Sequence, residues 1–293
     1  MRSSNPFMSS LTKAEGAQQG QRGPSAAYQQ GYQSAGEQWG QQDQQGMAYQ
    51  QSPNYGAPTT ASDRPMTIDD VVTKTGITLA VIVVLAAVNF MIGTSSPNLA
   101  MGLTFVGAIG GLVAVLVSAF GKKYGSPVVT LVYAAFEGLF VGGFTWIFAG
   151  GVEIGGANAG AMIFQAVLGT IGVFAGMLVV YKTGAIRVTP KFTKMLVGAM
   201  IGVLVLVLGN FVFAMFTGEP TMLRDGGPIA IIFSLVCIGL AALSFLTDFD
   251  QADKLIRAGA PSRYAWGVAL GLAVTLVWLY TEILRLLSYF NQD

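Results

Sequence analysis

This chain of 293 residues is 53% hydrophobic and only 11% charged, whereas soluble domains are about 25% charged. It contains no histidine, which excludes the catalytic triads and metal sites that need one, and its single cysteine excludes an intrachain disulfide. A net charge of +1 from dispersed Lys and Arg residues gives no reason to expect a nucleic-acid partner. We therefore expect an integral membrane protein that is not an enzyme and holds no cofactor of its own.

The N-terminal segment, residues 1–65, is rich in Gln, Gly and Ser and has almost no aliphatic residues after Leu11. Such a segment buries too little apolar surface to offset the entropy lost on ordering, so we predict a disordered tail. The tail also lacks the apolar stretch of a signal peptide, which leaves membrane insertion to the first span.

Residues 66–293 predict an all-α membrane domain, a bundle of seven transmembrane helices. Its first helix is expected to begin at Thr67, a residue type that caps helices, with Asp69 and Asp70 in the first turn. Apolar windows long enough to cross about 30 Å of hydrocarbon lie at 76–93, 99–120, 127–149, 161–181, 194–216, 228–248 and 265–287. Four prolines mark the starts of spans, where a missing N–H costs little: Pro127, Pro190, Pro228 and Pro261.

The charges of the short loops predict the orientation. Only Arg224 falls on one side, and nine Lys and Arg residues fall on the other: Lys122, Lys123, Lys182, Arg187, Lys191, Lys194, Lys254, Arg257 and Arg263. Because positive residues are retained in the cytoplasm, we expect a cytoplasmic tail, an external C-terminus and insertion in the inner (plasma) membrane.

Five of the predicted spans carry a Gly-x-x-x-Gly pair, a spacing that lets helices approach closely. The pairs are Gly107/Gly111, Gly138/Gly142, Gly172/Gly176, Gly198/Gly202 and Gly267/Gly271. We expect them to serve packing within the bundle.

Few ionisable residues lie within the spans, and those few are the candidate functional groups because a charge at the membrane centre is expensive. Glu137 is placed near the middle of the third span. It could act as a cation ligand or a proton acceptor, and the alternative is a protonated, hydrogen-bonded packing residue.

Three further carboxylates, Asp248, Asp250 and Asp253, cluster at the predicted cytoplasmic end of the sixth span. Carboxylate oxygens bind hard cations and release them on protonation, so we interpret Asp248 and Asp250 as candidate cation and metal ligands. On a helix these two point in different directions. Asp253 has Lys254 and Arg257 nearby and is expected to be a solvated helix end.

Glu282 and Arg285 are three residues apart near the outer end of the seventh span, a spacing at which helical side chains meet. We interpret them as a structural ion pair in which Arg285 extends to the membrane surface.

An ordered set of motifs resembles a bacterial branch of the Bax inhibitor-1 family of seven-helix membrane proteins. The motifs are Glu137-Gly138-Leu139-Phe140, Leu246-Thr247-Asp248-Phe249-Asp250, Gly259-Ala260-Pro261, Thr275-Leu276-Val277-Trp278-Leu279-Tyr280 and Glu282-Ile283-Leu284-Arg285-Leu286-Leu287. The resemblance implies a central seventh helix and a pH-sensitive calcium leak governed by aspartates on the sixth and seventh helices. This chain matches the sixth-helix half, but around Val274–Val277 it has no aspartate.

The function predicted from these residues is a pH-sensitive leak or sensor for cations, with Ca²⁺ and H⁺ as the expected ions. Glu137 could replace the absent aspartate if the third helix meets the sixth. An aspartate at Val274 or Val277 would then restore the second carboxylate. The alternative is a non-conducting regulator that binds other membrane proteins, such as a protease or a stress factor. Membrane lipids surround the bundle in either case.

Overall fold

The computed structural model describes residues 64–121, 123–149, 158–217, 223 and 225–291. Residues 1–63 of the predicted disordered tail lie outside these described residues. So do Lys122 and Arg224, two of the charges on which the predicted orientation rests.

Seven helices account for most of the described chain, and each is long and apolar enough to cross a membrane. They are α1 (Ile68–Ser95), α2 (Pro97–Phe120), α3 (Pro127–Phe148), α4 (Asn158–Thr183), α5 (Pro190–Thr217), α6 (Pro228–Arg257) and α7 (Ala265–Phe290). One turn of 3-10 helix, Ser262–Tyr264, precedes α7. The prediction of an all-α bundle with seven membrane-spanning helices is confirmed.

The helix starts follow from local chemistry. The Thr67 hydroxyl accepts a hydrogen bond from the Asp70 N–H, and the Asp70 carboxylate accepts one from the Thr67 N–H, so the predicted cap of α1 is confirmed. Four helices begin with a proline, which is suited to the first helical position: Pro97 of α2, Pro127 of α3, Pro190 of α5 and Pro228 of α6.

Helix α7 is the central element of the bundle. It packs against α1, α3, α4 and α6, and it contributes residues to all three apolar clusters of the interior, such as Leu279, Ala273 and Leu284. Helix α5, in contrast, lies on the periphery and packs lightly against α6. The central position of the seventh helix agrees with what the family resemblance implies.

Four of the five predicted glycine pairs fall into two groups. The α7 pair is mixed, because a Cβ atom on Gly267 would lie 2.6 Å from the Tyr124 ring and one on Gly271 would meet no described atom within 4 Å. A Cβ atom on Gly107 would lie 2.5 Å from the Phe136 carbonyl oxygen, and one on Gly138 would lie 2.7 Å from the Ile82 carbonyl oxygen, so these glycines permit backbone contact among α1, α2 and α3. No described atom lies within 4 Å of such a Cβ on four other glycines, Gly172, Gly176, Gly198 and Gly202. The expected role in packing is therefore confirmed in α2 and α3 and is wrong in α4 and α5, within the described residues.

The start of α1 and the α6–α7 connection meet at one end of the bundle. The Met66 N–H donates to the Ala260 carbonyl oxygen, and the Ser262 N–H donates to the Arg64 carbonyl oxygen, each at 2.8 Å. The Tyr124 ring, from the α2–α3 loop, contacts the Tyr264 ring at the same end. We call this end, where most of the loop Lys and Arg residues lie, the basic end.

Candidate functional site

Asp248 lies within α6 and faces α7. The helix continues to Arg257, so Asp248 is not at a helix terminus as the predicted span implied. Its Oδ2 atom accepts a hydrogen bond of 2.8 Å from the Thr275 hydroxyl of α7, which is also 3.3 Å from the Gly271 carbonyl oxygen. The α7 residue that faces Asp248 is therefore Thr275, whereas Val277 packs in the apolar cluster against α1 and α3.

The Asp248 side chain lines a cavity of about 150 Å³ near the basic end. The cavity lies between α2, α6 and α7, and Tyr124 of the α2–α3 loop is also part of its lining. Its lining residues are Val115, Ser118, Ala119, Tyr124, Asp248, Gln251, Gly267, Val268, Leu270 and Gly271. Carboxylate, hydroxyl and amide oxygens thus face the same small volume.

Tyr124 is held in place by contacts on several sides. The Gln251 amide donates to its hydroxyl at 3.3 Å, and the Tyr264 ring packs edge-on at 5.8 Å. A Cβ atom on Gly267 would lie 2.6 Å from the Tyr124 ring, so only glycine leaves room for it there. Burial raises the pKa of the Tyr124 hydroxyl above its ordinary value of 10, so this group stays neutral near pH 7.

Among the described residues Asp250 and Asp253, unlike Asp248, each form an ion pair with a basic side chain of α6. Lys254 lies 2.5 Å from an Asp250 oxygen, and Arg257 lies 2.8 Å from an Asp253 oxygen, each one helical turn along α6. The structure therefore does not bring Asp248 and Asp250 onto one site, because their positions on the helix point them in different directions. No group of three or more acidic or cysteine side chains suited to holding a metal occurs among the described residues.

Glu137 lies in the middle of α3, on the side that faces α2. A Cβ atom on Gly111 would lie 2.8 Å from the Glu137 Oε2 atom, so this glycine makes room for the carboxylate. Val115, one turn from Gly111 along α2, lines the Asp248 cavity. Among the described helices α3 packs against α1, α2 and α7, and it does not pack extensively against α6. Glu137 is therefore not among the residues that line the cavity and is not the direct partner of Asp248.

Glu282 and Arg285 form an ion pair inside the bundle. One guanidinium nitrogen of Arg285 lies 2.9 and 3.0 Å from the two Glu282 oxygens, and the guanidinium stacks over the rings of Phe144 and Phe148. Arg285 is only 9% exposed. The prediction that it extends to the membrane surface is wrong, because α3 rings cover it.

Three polar residues of this structure escaped sequence reasoning. Gln251 lines the Asp248 cavity, and Thr275 donates a hydrogen bond to Asp248. Asn89 is fully buried, where it donates to the Leu139 carbonyl oxygen at 2.6 Å and to the Thr104 hydroxyl at 3.2 Å. Asn89 and Thr275 are isolated polar residues within apolar runs, which was the signal available in the sequence.

The chain matches a known protein family along nearly its whole length. A family model described as Bax inhibitor 1 like matches residues 5–292. No curated protein matches the chain. The resemblance found in the sequence motifs is thereby confirmed.

Proposed function

We propose that this chain, which belongs to the Bax inhibitor 1-like family, is a pH-sensitive leak pathway or sensor for cations, with Asp248 as its titrating group. The observation that carries the proposal is the position of Asp248: a half-buried carboxylate, with no ion-pair partner among the described residues, lines a cavity near the basic end. Ca²⁺ and H⁺ are the proposed ions, because the groups that face the cavity offer oxygen ligands and no sulfur or imidazole ligand.

The cavity suits passage better than tight retention of a divalent ion. Ca²⁺ takes about 6–8 oxygen ligands, and the protein groups near Asp248 are one carboxylate, the hydroxyls of Ser118, Tyr124 and Thr275, and one amide. Water would have to complete the coordination. An ion that keeps part of its water is held weakly and can leave, as a leak requires.

In the proposed mechanism a single carboxylate, Asp248, makes cation passage at this site depend on pH. Thr275 occupies the α7 position that faces Asp248, and its hydroxyl already donates to the carboxylate. When Asp248 is ionised it attracts a cation, and when it is protonated the attraction is lost. Because no second carboxylate faces it among the described residues, we expect the pH response of a single group rather than that of a coupled pair.

The experiment that tests this proposal measures Ca²⁺ and H⁺ flux into proteoliposomes between about pH 5 and 8, a range in which buried carboxylates titrate. We expect wild-type flux to depend on pH and Asp248→Asn to flatten that dependence, since the amide keeps the shape without the titrating group. Glu137→Gln should alter the flux less, because Glu137 is not among the residues that line the cavity.

Matched controls on the same helix are Asp250→Asn and Asp253→Asn, since both carboxylates are paired with a basic side chain one turn away. Either substitution should leave the pH profile close to that of the wild type. Wild-type vesicles without flux at any pH in this range would contradict the proposal.

We also propose that the basic end faces the cytoplasm, so that the tail lies inside and the protein resides in the inner (plasma) membrane. Reporter fusions after Tyr124, Thr189 and Ala260 should then report cytoplasmic positions, and fusions after Gly156 and Glu219 should report external ones. Two or more reversed reporters would contradict this orientation.

One observation favours a second function, that of a non-conducting regulator of other membrane proteins. Helices α4 and α5 are largely exposed, and a Cβ atom on any glycine of the pairs Gly172/Gly176 and Gly198/Gly202 would have no described neighbour within 4 Å. Such small-residue faces permit close contact with a partner helix. Absence of flux together with specific capture of a membrane protein through α5 would favour this alternative.

A further inference from the structure

A second, larger cavity lies on the side of the bundle, away from Asp248. It has a volume of about 510 Å³ and forms a groove whose rims are α1 and α4 and whose floor is α3 and α7. Helices α1 and α4 do not pack extensively against each other in the described structure, and the groove opens between them. Ligand pockets typically measure about 300–1,000 Å³, so this groove has the size of a binding site.

The mouth of the groove faces the membrane hydrocarbon. Its rims carry exposed apolar side chains, Val83 and Met91 of α1 and Ile171 of α4, which lie within the membrane-spanning parts of their helices. From Leu79 to Met91 the groove follows thirteen residues of α1, an axial length of about 18 Å at the rise of an α-helix. That length is close to one leaflet of hydrocarbon, about 15 Å.

The polar side chains that line the groove have hydrogen-bond partners within the protein. No charged residue is among the described residues that line the groove, and the hydroxyls of Thr145 and Tyr280 on its floor are hydrogen-bonded to each other at 2.9 Å. The Thr170 hydroxyl donates to the Ala166 carbonyl oxygen of its own helix at 2.8 Å. Polar groups that are already satisfied do not recruit buried water, so an apolar occupant fits this groove.

The dimensions of the groove distinguish between two possible apolar occupants, a transmembrane helix and a lipid acyl chain. A transmembrane helix has a diameter of at least about 10 Å, so a segment as long as the groove would fill about 1,400 Å³. This exceeds all the empty space between the rims, about 1,250 Å³ with its open side included, so a helix would rest on the rims without entering the groove. We propose that the groove binds one acyl chain of a membrane phospholipid. The chain comes from the leaflet opposite the basic end, because the α1 residues that line the groove, Leu79 to Met91, lie mostly in the half of α1 away from its start at that end.

The test uses the full chain in vesicles that contain a phospholipid with a photoactivatable diazirine in the middle of one acyl chain. After illumination, peptide mass spectrometry locates the labelled residues. We expect labelling of groove residues such as Val83, Val167 and Ile171 to exceed that of the exposed α5 residues Leu204 and Phe211, which face bulk lipid.

The decisive variant is Ala87→Trp, which fills the groove from α1. It is expected to lower groove labelling about tenfold, the change produced by 1.4 kcal/mol of lost binding free energy. Val84→Trp is the matched control, because Val84 is 61% exposed on the same helix and does not line the groove. Should Ala87→Trp fail to fold, Val167→Trp tests the α4 rim, with Leu168→Trp as its control.

Equal labelling of the groove and of α5, or groove labelling that Ala87→Trp leaves unchanged, would overturn the proposal. So would groove residues cross-linked to peptides of a second chain in place of lipid, since a helix would then be the occupant. Labelling lost in both Ala87→Trp and Val84→Trp would also overturn it, because the loss would not depend on the groove.

Discussion

Helices α5 and α7 are both membrane-spanning by length and composition, yet they occupy opposite positions in the bundle. In the most apolar window of α7, 67% of the residues are buried, and in that of α5 only 6% are. The more apolar of the two is the exposed one. Apolarity therefore predicts that a helix enters the membrane and does not predict that it lies at the centre.

The physical reason is that lipid tails are as apolar as leucine, so a leucine-rich surface gains little by turning inward. A helix becomes central when it carries groups that lipid cannot satisfy or small residues that allow close packing. Helix α7 carries both, since Thr275 and the Glu282–Arg285 pair need protein partners and Ala269 and Ala273 are fully buried.

The largest expected effect comes from separating the buried ion pair of α7. Arg285→Met leaves the Glu282 carboxylate inside the bundle without the cation that neutralises it, which typically costs about 3–5 kcal/mol. We expect a large fall in the thermal unfolding midpoint of the detergent-solubilised protein.

Two companion variants sharpen this result. Glu282→Gln combined with Arg285→Met removes both charges and should recover part of the loss, because an apolar or neutral pair can replace a buried ion pair. Arg257→Gln should change stability little, since Arg257 is 79% exposed at the end of α6. If Arg285→Met and Arg257→Gln lowered the thermal unfolding midpoint equally, the proposed difference in stability between the buried ion pair of α7 and the exposed one of α6 would be contradicted.

A smaller effect is expected from one added methyl group at a helix contact. In Gly138→Ala the new Cβ atom would lie 2.7 Å from the Ile82 carbonyl oxygen, and such overpacking costs about 1–3 kcal/mol. Gly202→Ala in α5 meets no described atom within 4 Å and should be neutral or slightly stabilising. Thermal unfolding of the two variants measures the difference, and a loss at Gly202 as large as that at Gly138 would show that α5 has a packing partner.

The smallest effect is expected from removing the tail. Deletion of residues 1–60 should leave bundle stability nearly unchanged, because the segment has no apolar stripe to pack. Deletion of residues 1–66 should cost more, since it removes Arg64 and Met66, which bond to Asp70 and to the α6–α7 connection. Detergent-stable protein yields of the two deletions provide the comparison, and a large loss on deleting 1–60 would contradict it.

Much of the fold could be predicted from the sequence because its main signals are local. Runs of apolar residues, first-turn prolines and the Thr67 cap act within one helix, and all are present in the structure. Which helices pack against each other was harder to predict, since Gly138 and Gly202 both belong to a Gly-x-x-x-Gly pair in an apolar helix. What differs is the neighbouring helix that faces each of them.

The candidate site was predictable only in part, for the same reason. Asp248 could be recognised because a carboxylate in an apolar segment is unusual. That Thr275 would face it, and that Asp250 would pair with Lys254, depends on how α6 and α7 are rotated against each other. The family resemblance placed the absent α7 aspartate around Val274–Val277, and within that range Thr275 is the residue that faces Asp248.

The central claim is that the surface between Asp248 and α7 controls cation passage, and Thr275→Asp tests it most directly. The measurement is Ca²⁺ flux into proteoliposomes as a function of pH, with Val277→Asp as the matched control because Val277 packs toward α1 and α3. We expect Thr275→Asp to change the steepness and midpoint of the pH profile, since two facing carboxylates titrate as a coupled pair. Val277→Asp should not reproduce this change. A Thr275→Asp profile identical to that of the wild type, in protein that is folded and reconstituted equally well, would contradict the claim.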